Sequence, residues 1–337
     1  MPGWTLPGVT TVGRLQILLK REGLIPGGPL ILIGTGPLVY LYAAQCLAAG
    51  KNDISLIDTA QAGNRLKALP HLARAFTGHG PSYLAKGVRL LWQLRRSKIA
   101  IYNAPQDIGI ASGNAGLEVR FHTGSRQHVL RAGHVGLHEG VIPEAHLPRS
   151  LGCRMTWSQA GAAFHPVRDA DLQSSVPGIF VAGDAGGIAG AIAALNEGRL
   201  AAIAILEKLG RSCDAKLRSE DLSARKAKLP PRLHQDALYQ PRPAIFAPQD
   251  DVLACRCEEV TCGAIRAVLA AGSAGPNQVK SFLRSGMGPC QGRMCGTTLA
   301  HLSAESRNLP MNEVDYLTIR SPIRPVTLGE LSDLEAP

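Results

Sequence analysis

Aromatic side chains are scarce, 4% of 337 residues, too few to line a groove on which successive bases stack. The net charge of +10 favours acidic partners, but the Lys and Arg read as scattered and no strand or helix carries a dense basic stripe. Nucleic-acid binding is therefore not expected. The opening Met1-Pro2-Gly3-Trp4 holds neither the charged nor the apolar part of a secretory leader. A cytoplasmic, reducing compartment is expected, where clustered thiols among the eight cysteines bind metal more readily than they pair as disulfides. One charge-free run, Pro29 to Gly50, is long enough to cross a bilayer. Gly34, Gly36 and Pro37 interrupt it where a strand hands over to a helix, so no membrane span is expected. No internal repeat or low-complexity tract is present.

What remains is an ordinary globular composition, 45% hydrophobic and 18% charged, in a chain long enough for two or three cores. Leu30 to Ile33 is a continuous apolar run that ends in Gly34-Thr35-Gly36-Pro37. A helix-compatible stretch follows to Ala49, and Ile54 to Asp58 reads as a second strand. This β-α-β order gives the glycines a mechanical meaning: Gly34 allows the tight turn, Gly36 lets backbone approach a pyrophosphate, and the helix beyond Pro37 offers N–H groups to an anion. Asp58, at the end of the second strand, is positioned to accept hydrogen bonds from a ribose. The third glycine of the fingerprint is Val39, so a purely structural turn stays open as an alternative.

Leu117–Phe121 and Gln127–Arg131 alternate like a hairpin or meander, and His134–Leu137 reads as another buried strand. His122, His128, His134 and His138 lack metal-like spacing and read as surface or internally satisfied histidines. Val176 to Asp184 reads as an apolar strand, followed by a helix-compatible run from Gly190 to Leu206. In a flavin site the Asp184 carboxylate would accept from a ribitol hydroxyl beside Gly183; otherwise Asp184 is a helix cap. Residues 207–250 mix charges with prolines and read as a partly helical linker.

The most specific pattern is Cys255-Arg256-Cys257 with Cys290-Gln291-Gly292-Arg293-Met294-Cys295. In extended backbone positions two apart point the same way, so Cys255 and Cys257 are expected to present a thiolate pair from one segment. The second pair lies on a glycine-rich loop whose N–H groups can approach sulfur. Between them Thr261 is placed to cap a helix that carries Ile265, Val268 and Leu269 inward and stops at Gly272. Pro276–Arg284 reads as a second short helix with Val279, Phe282 and Leu283 inward. Four thiolates suit iron-sulfur or zinc; C-x-C with C-x₄-C is less typical of zinc knuckles, which favours [2Fe-2S]. Cys262 reads as a structural thiol, and Cys46, Cys153 and Cys213 as isolated ones.

Cys255 to Thr261, Gly275 to Lys280 and Met287 to Gly296 resemble the bacterioferritin-associated-ferredoxin-like [2Fe-2S] domain. The version matched is the one fused to the nucleotide-binding subunit of opine oxidases, hydroxyproline or proline dehydrogenases and hydrogen cyanide synthase. Pro2 to Val9, Gly34 to Pro37, Val176 to Gly187 and Pro322 to Leu331 agree with it, so the resemblance covers nearly the whole chain. It implies an α/β fold with glutathione-reductase-like nucleotide-binding domains and a small helical cluster domain. By the same resemblance Cys255, Cys257, Cys290 and Cys295 hold the cluster, Gly34, Thr35, Gly36, Pro37 and Asp58 a second nucleotide (NAD, NADP or ATP), and Gly183 with Asp184 touch FAD. A flavin-containing amine-oxidising subunit is the implied partner in a hetero-oligomer, and no catalytic acid or base is assigned.

The expected divisions are a connector remnant of the FAD domain at 1–25, a Rossmann-like domain at 26–130, the last part of the FAD domain at 131–206, the linker at 207–250, the cluster domain at 251–305 and a subunit-contacting tail at 306–337. Relatives carry a complete FAD fingerprint ahead of the Pro-Gly-Trp segment that opens this sequence. The FAD domain is thus expected to be incomplete and FAD binding by this chain alone weak or absent, with another polypeptide supplying the piece. The alternatives are a zinc-stabilised scaffold without redox activity and an inactive product of a shortened reading frame.

Overall fold

The computed structural model describes residues 1–334 except 79, 115, 214, 227 and 228. In chain order its elements begin with β1 (Val9–Thr11), α1 (Val12–Glu22), β2 (Leu30–Gly34), α2 (Pro37–Ala48), β3 (Ile54–Asp58), α3 (Ala62–Ala68), α4 (Leu72–Ala75) and α5 (Gly80–Arg96). Strands β4 (Ala100–Asn103), β5 (Gln106–Gly113), β6 (Gly116–Thr123), β7 (Arg126–Ala132) and β8 (His134–His138) follow, then α6 (His146–Ser150), β9 (Met155–Ser158), β10 (Ala163–Pro166), α7 (Ala191–Lys208), α8 (Ala215–Lys226), α9 (Leu229–Leu238) and α10 (Pro243–Phe246). The last are β11 (Leu253–Cys255), β12 (Val260–Thr261), α11 (Cys262–Ala270), α12 (Pro276–Leu283), α13 (Gly296–Arg307) and α14 (Leu328–Ser332). No helix among the described residues is long and apolar enough to cross a membrane.

Two compact units result, the first made of Met1–Ile142, Gln159–Ala162 and Ala189–Ile245. Its centre is a parallel sheet in the order β1-β8-β2-β3-β4. Every residue of β2 is buried, as a strand covered on both faces requires, and its side chains divide by period two. Leu30 and Leu32 join the helix-side core with Tyr42, Leu56 and Leu94, whereas Ile31 and Ile33 pack with Val119, Phe121 and Ile57 beneath the β5-β6-β7 meander. Each such side chain removed from water contributes about 1.5–3 kcal/mol. The meander has a strand, β5, that alternation left unread, because its Gln106-Asp107-Ile108-Gly109 start carries a register shift. Residues 1–25 supply α1 and the sheet's edge strand β1, paired with β8.

Register decides what the sheet presents. Gly34 stands opposite both Asp58 and His138, so the carboxyl ends of three adjacent strands form one row, the usual location of a nucleotide crevice in an open α/β sheet. Gly34 is required there: its φ is +150°, and a β-carbon would come within 1.7 Å of the His138 carbonyl oxygen.

The second unit comprises Pro143–Ser158, Ala163–Ile188 and Phe246–Pro337. The run expected as a strand from Val176 to Asp184 is not one. A strand needs a neighbour for its N–H and C=O groups, and among the described residues this stretch finds only an isolated bridge between Phe180 and Gln173 before a single 3₁₀ turn, Gly183–Gly186. The helices near the cysteines follow the reading closely. The Thr261 hydroxyl accepts from the Ala264 N–H at 3.2 Å to start α11, and Ile265, Leu269 and Val279 are buried. Phe282, expected inward, is 66% exposed, because α12 ends at Leu283 and its buried side is carried by Pro276 and Val279.

Candidate functional site

The four cysteines come together from two segments. Cys255 closes β11, and a turn carries the chain past Cys257 into β12. The turns between α12 and α13 bring Cys290 and Cys295 to the same place. The thiols pair across the two segments, not within Cys255-Arg256-Cys257 as extended backbone would give, because Cys257 has left the strand. Cys295 lies against Cys255, and Cys290 against Cys257, near enough for each to shift its neighbour's titration. Cys255 and Cys257 still feel each other's charge.

Backbone amides complete the arrangement. The Cys295 thiol first, then the backbone N–H groups of Gly286, Glu258 and Cys257, bring the Cys255 pKa down to about 5 against the opposing effect of burial. Cys295, donating to that thiolate and buried, is pushed far up. For Cys257 the Cys290 N–H works downward, but burial and the Cys290 thiol prevail, so its pKa is raised. The loop lies so close that a β-carbon on Gly288 would sit 2.2 Å from the Cys257 β-carbon.

Residues that spacing did not reveal hold this loop. The Arg293 guanidinium donates to Glu144 at 2.8 Å and to the Ile323 carbonyl at 2.8 Å. The His146 ring lies 2.9 Å from the Gln291 carbonyl oxygen, and the Gln291 amide donates to the Pro322 carbonyl at 2.6 Å. Among the described residues no three His, Cys, Asp or Glu side chains converge as one metal ion would need. Cys262 is buried at the start of α11 and apart from these pairs, its thiol pushed up by burial.

In the first unit the glycine-rich turn is formed as expected. The Thr35 N–H donates to the His138 carbonyl at 2.9 Å, Gly36 precedes the first turn of α2 and Pro37 begins it. The Thr35 hydroxyl is buried without a hydrogen-bond partner among the described residues, and with the open α2 N-terminus it fits a phosphate oxygen. Val39, in the third-glycine position, is buried in the helix-side core. Each oxygen of the Asp58 carboxylate already accepts one hydrogen bond, so a ribose hydroxyl would have to share it. One oxygen takes the Ala60 N–H at 2.9 Å and the other the Tyr40 hydroxyl in a short hydrogen bond. Burial first, then the Asp58 charge, raises the Tyr40 and Tyr239 hydroxyls. Beside them Glu139 receives Thr59 at 3.0 Å and Arg242 through two nitrogens at 3.1 and 2.9 Å. Burial nevertheless raises its pKa.

Gly183 and Asp184 occupy the 3₁₀ turn of the second unit with Asp184 exposed, while α7, the helix expected after them, belongs to the first. Arg168 steadies that turn, donating to the Val181 and Gly186 carbonyls at 2.8 Å each.

The family described as the sarcosine oxidase A3 domain matches residues 254–333. The A subunit of opine oxidase from Rhizobium meliloti (strain 1021) is 64% identical over 337 residues, 100% of this chain and 74% of the relative. Its counterpart from Agrobacterium tumefaciens (strain Ach5) is 42% identical over 340 residues, 99% of this chain and 67% of the relative. Among solved structures, L-proline dehydrogenase from P. horikoshii superposes with a TM-score of 0.68 at 20% identity, covering 98% of this chain and 55% of that one. That likeness establishes the shared α/β fold; this chain spans little more than half the length of the structure it matches.

Proposed function

Because this chain belongs to the family of opine oxidase A subunits, we propose that it is the electron-transfer subunit of a multisubunit flavin-dependent oxidoreductase that acts on an amino or imino acid of opine, proline or hydroxyproline type. Cys255, Cys257, Cys290 and Cys295 hold a [2Fe-2S] cluster, which when bound supplies one-electron storage. Gly34, Thr35, Gly36 and Pro37 take the phosphates of a second nucleotide, NAD(P) or ATP, and Asp58 receives its ribose. Gly183 and Asp184 approach FAD. The partner is a flavin-containing amine-oxidising subunit in the cytoplasm, and substrate chemistry is assigned to it.

The observation that carries this reading is the pairing of thiols across two segments with backbone N–H groups aimed at sulfur. Such donors stabilise the anionic sulfur of a bound cluster and raise its potential. The protein's part is to hold the thiolates and shield the buried pair from water.

The test is anaerobic purification followed by metal and sulfide analysis and a visible spectrum before and after dithionite. About two irons and two acid-labile sulfides per chain, with colour bleached on reduction, are expected. Stoichiometric zinc without sulfide would overturn the redox reading and leave a metal-stabilised scaffold. So would iron content that survives Cys255→Ser and Cys295→Ser.

A further inference from the structure

The positive charge is not spread evenly, contrary to the reading from sequence. Between Asp58 and Asp107 there is no Asp or Glu, while eight Lys and Arg fall in the same stretch, against a net charge of +10 for the whole chain. Helix α5 lies within it. One side of α5 is anchored by Leu94, fully buried, and Leu90 in the helix-side core. The opposite side leaves Val88 66% and Trp92 59% exposed, one turn apart. Arg89, Arg95 and Arg96 are exposed around them, and the Arg96 guanidinium lies over the Trp92 ring at 5.1 Å. Among the described residues none of these arginines has an ion-pair partner.

An apolar stripe flanked by arginines in a segment without Asp or Glu wants a particular surface. Solvated helices usually mix charge signs, and the buried centre of a protein interface is depleted of charge, with attraction coming from complementary groups of both signs. An anionic bilayer is negative everywhere and offers, just beneath its headgroups, the depth at which Trp and Val side chains are stable. Arginines at the edge of the stripe reach back to phosphate while their stems stay in the apolar layer. We propose that α5 docks this chain on an anionic lipid surface, lying in the headgroup plane with Val88 and Trp92 inserted and Arg89, Arg95 and Arg96 on lipid phosphates.

Co-sedimentation of the full chain with extruded vesicles tests this. Binding is expected to phosphatidylcholine vesicles containing about one-third phosphatidylglycerol and not to pure phosphatidylcholine, and it weakens as salt shortens the Debye length. Reversing three charges in R89E/R95E/R96E should lower the partition coefficient by roughly two orders of magnitude, and W92A by roughly tenfold. Brominated lipid should quench tryptophan emission in the parent chain and not in W92F. All four side chains are exposed, so circular dichroism should be unchanged in each variant, which separates lost docking from lost folding. No partition to the anionic vesicles, equal partition to neutral ones, or undiminished partition of the triple variant overturns the proposal. It also fails if vesicles are ignored while the triple variant releases an acidic partner subunit, since the face would then be a protein interface.

Discussion

The turn at Gly34 and the loop at Cys290 are built alike, from glycines that let backbone N–H groups converge, yet they differ in what they hold back. At the cysteines the amides already point at sulfur, and each thiol has another thiol for a partner. At the turn the α2 N-terminus is open, with the Thr35 hydroxyl unpartnered among the described residues, but one oxygen of the Asp58 carboxylate already accepts from Tyr40. Donors supplied by the main chain are placed by φ and ψ and cannot be withdrawn. An acceptor on a side chain is open to competition from any hydroxyl that packs beside it, and here one does.

The comparison breaks most sharply if the backbone is disturbed. Gly288→Ala forces a β-carbon against Cys257 and is expected to abolish retention of iron and sulfide, measured per chain after anaerobic purification; full retention would mean the loop is not what shapes the thiols. Gly34→Ala meets the His138 carbonyl at a φ that disfavours side chains. It should destabilise the first unit by about 4 kcal/mol or prevent its folding, read from urea denaturation, while iron content per folded chain stays unchanged.

Smaller effects sharpen the contrast at Asp58. Tyr40→Phe removes the competing hydroxyl and should tighten binding of NADH or ATP by about five- to tenfold in calorimetry, since a hydrogen bond of about 1–1.5 kcal/mol no longer has to be broken. Unchanged affinity for both would mean that Asp58 does not meet the ligand. The smallest change is expected at Glu139, whose pKa burial raises despite Arg242 and Thr59. The folded chain therefore keeps that proton to higher pH than the unfolded chain does. Stability from this group falls as pH climbs from the ordinary carboxylate range through the raised folded value. Glu139→Gln should flatten that decline by about 1 kcal/mol or less, seen as urea midpoints compared between pH 5 and pH 8.

What was legible in the sequence was local. The Leu30–Ile33 run, the glycines after it and Asp58 lie within one β-α-β unit, and the Thr261 cap is fixed by residues three apart. The partners were not: Arg293 meets Glu144 and His146 meets Gln291 across about 150 residues, and no spacing rule links them. Tyr40 lies only 18 residues from Asp58 and went unread because no spacing rule pairs a helix hydroxyl with a strand-end carboxylate, while the apolar run before Gly183 lacks the ladder that would make it a strand. Thiol pairing was misjudged for a smaller reason, a single turn that takes Cys257 out of extended backbone.

Cys255 and Cys295 are sealed from solvent, whereas Cys257 is exposed and Cys290 half-exposed. A cluster held there would be damaged from one side. Dioxygen, peroxide and chelators would meet the outer pair first, and a partner that covers Cys257 would protect that edge without touching the inner pair.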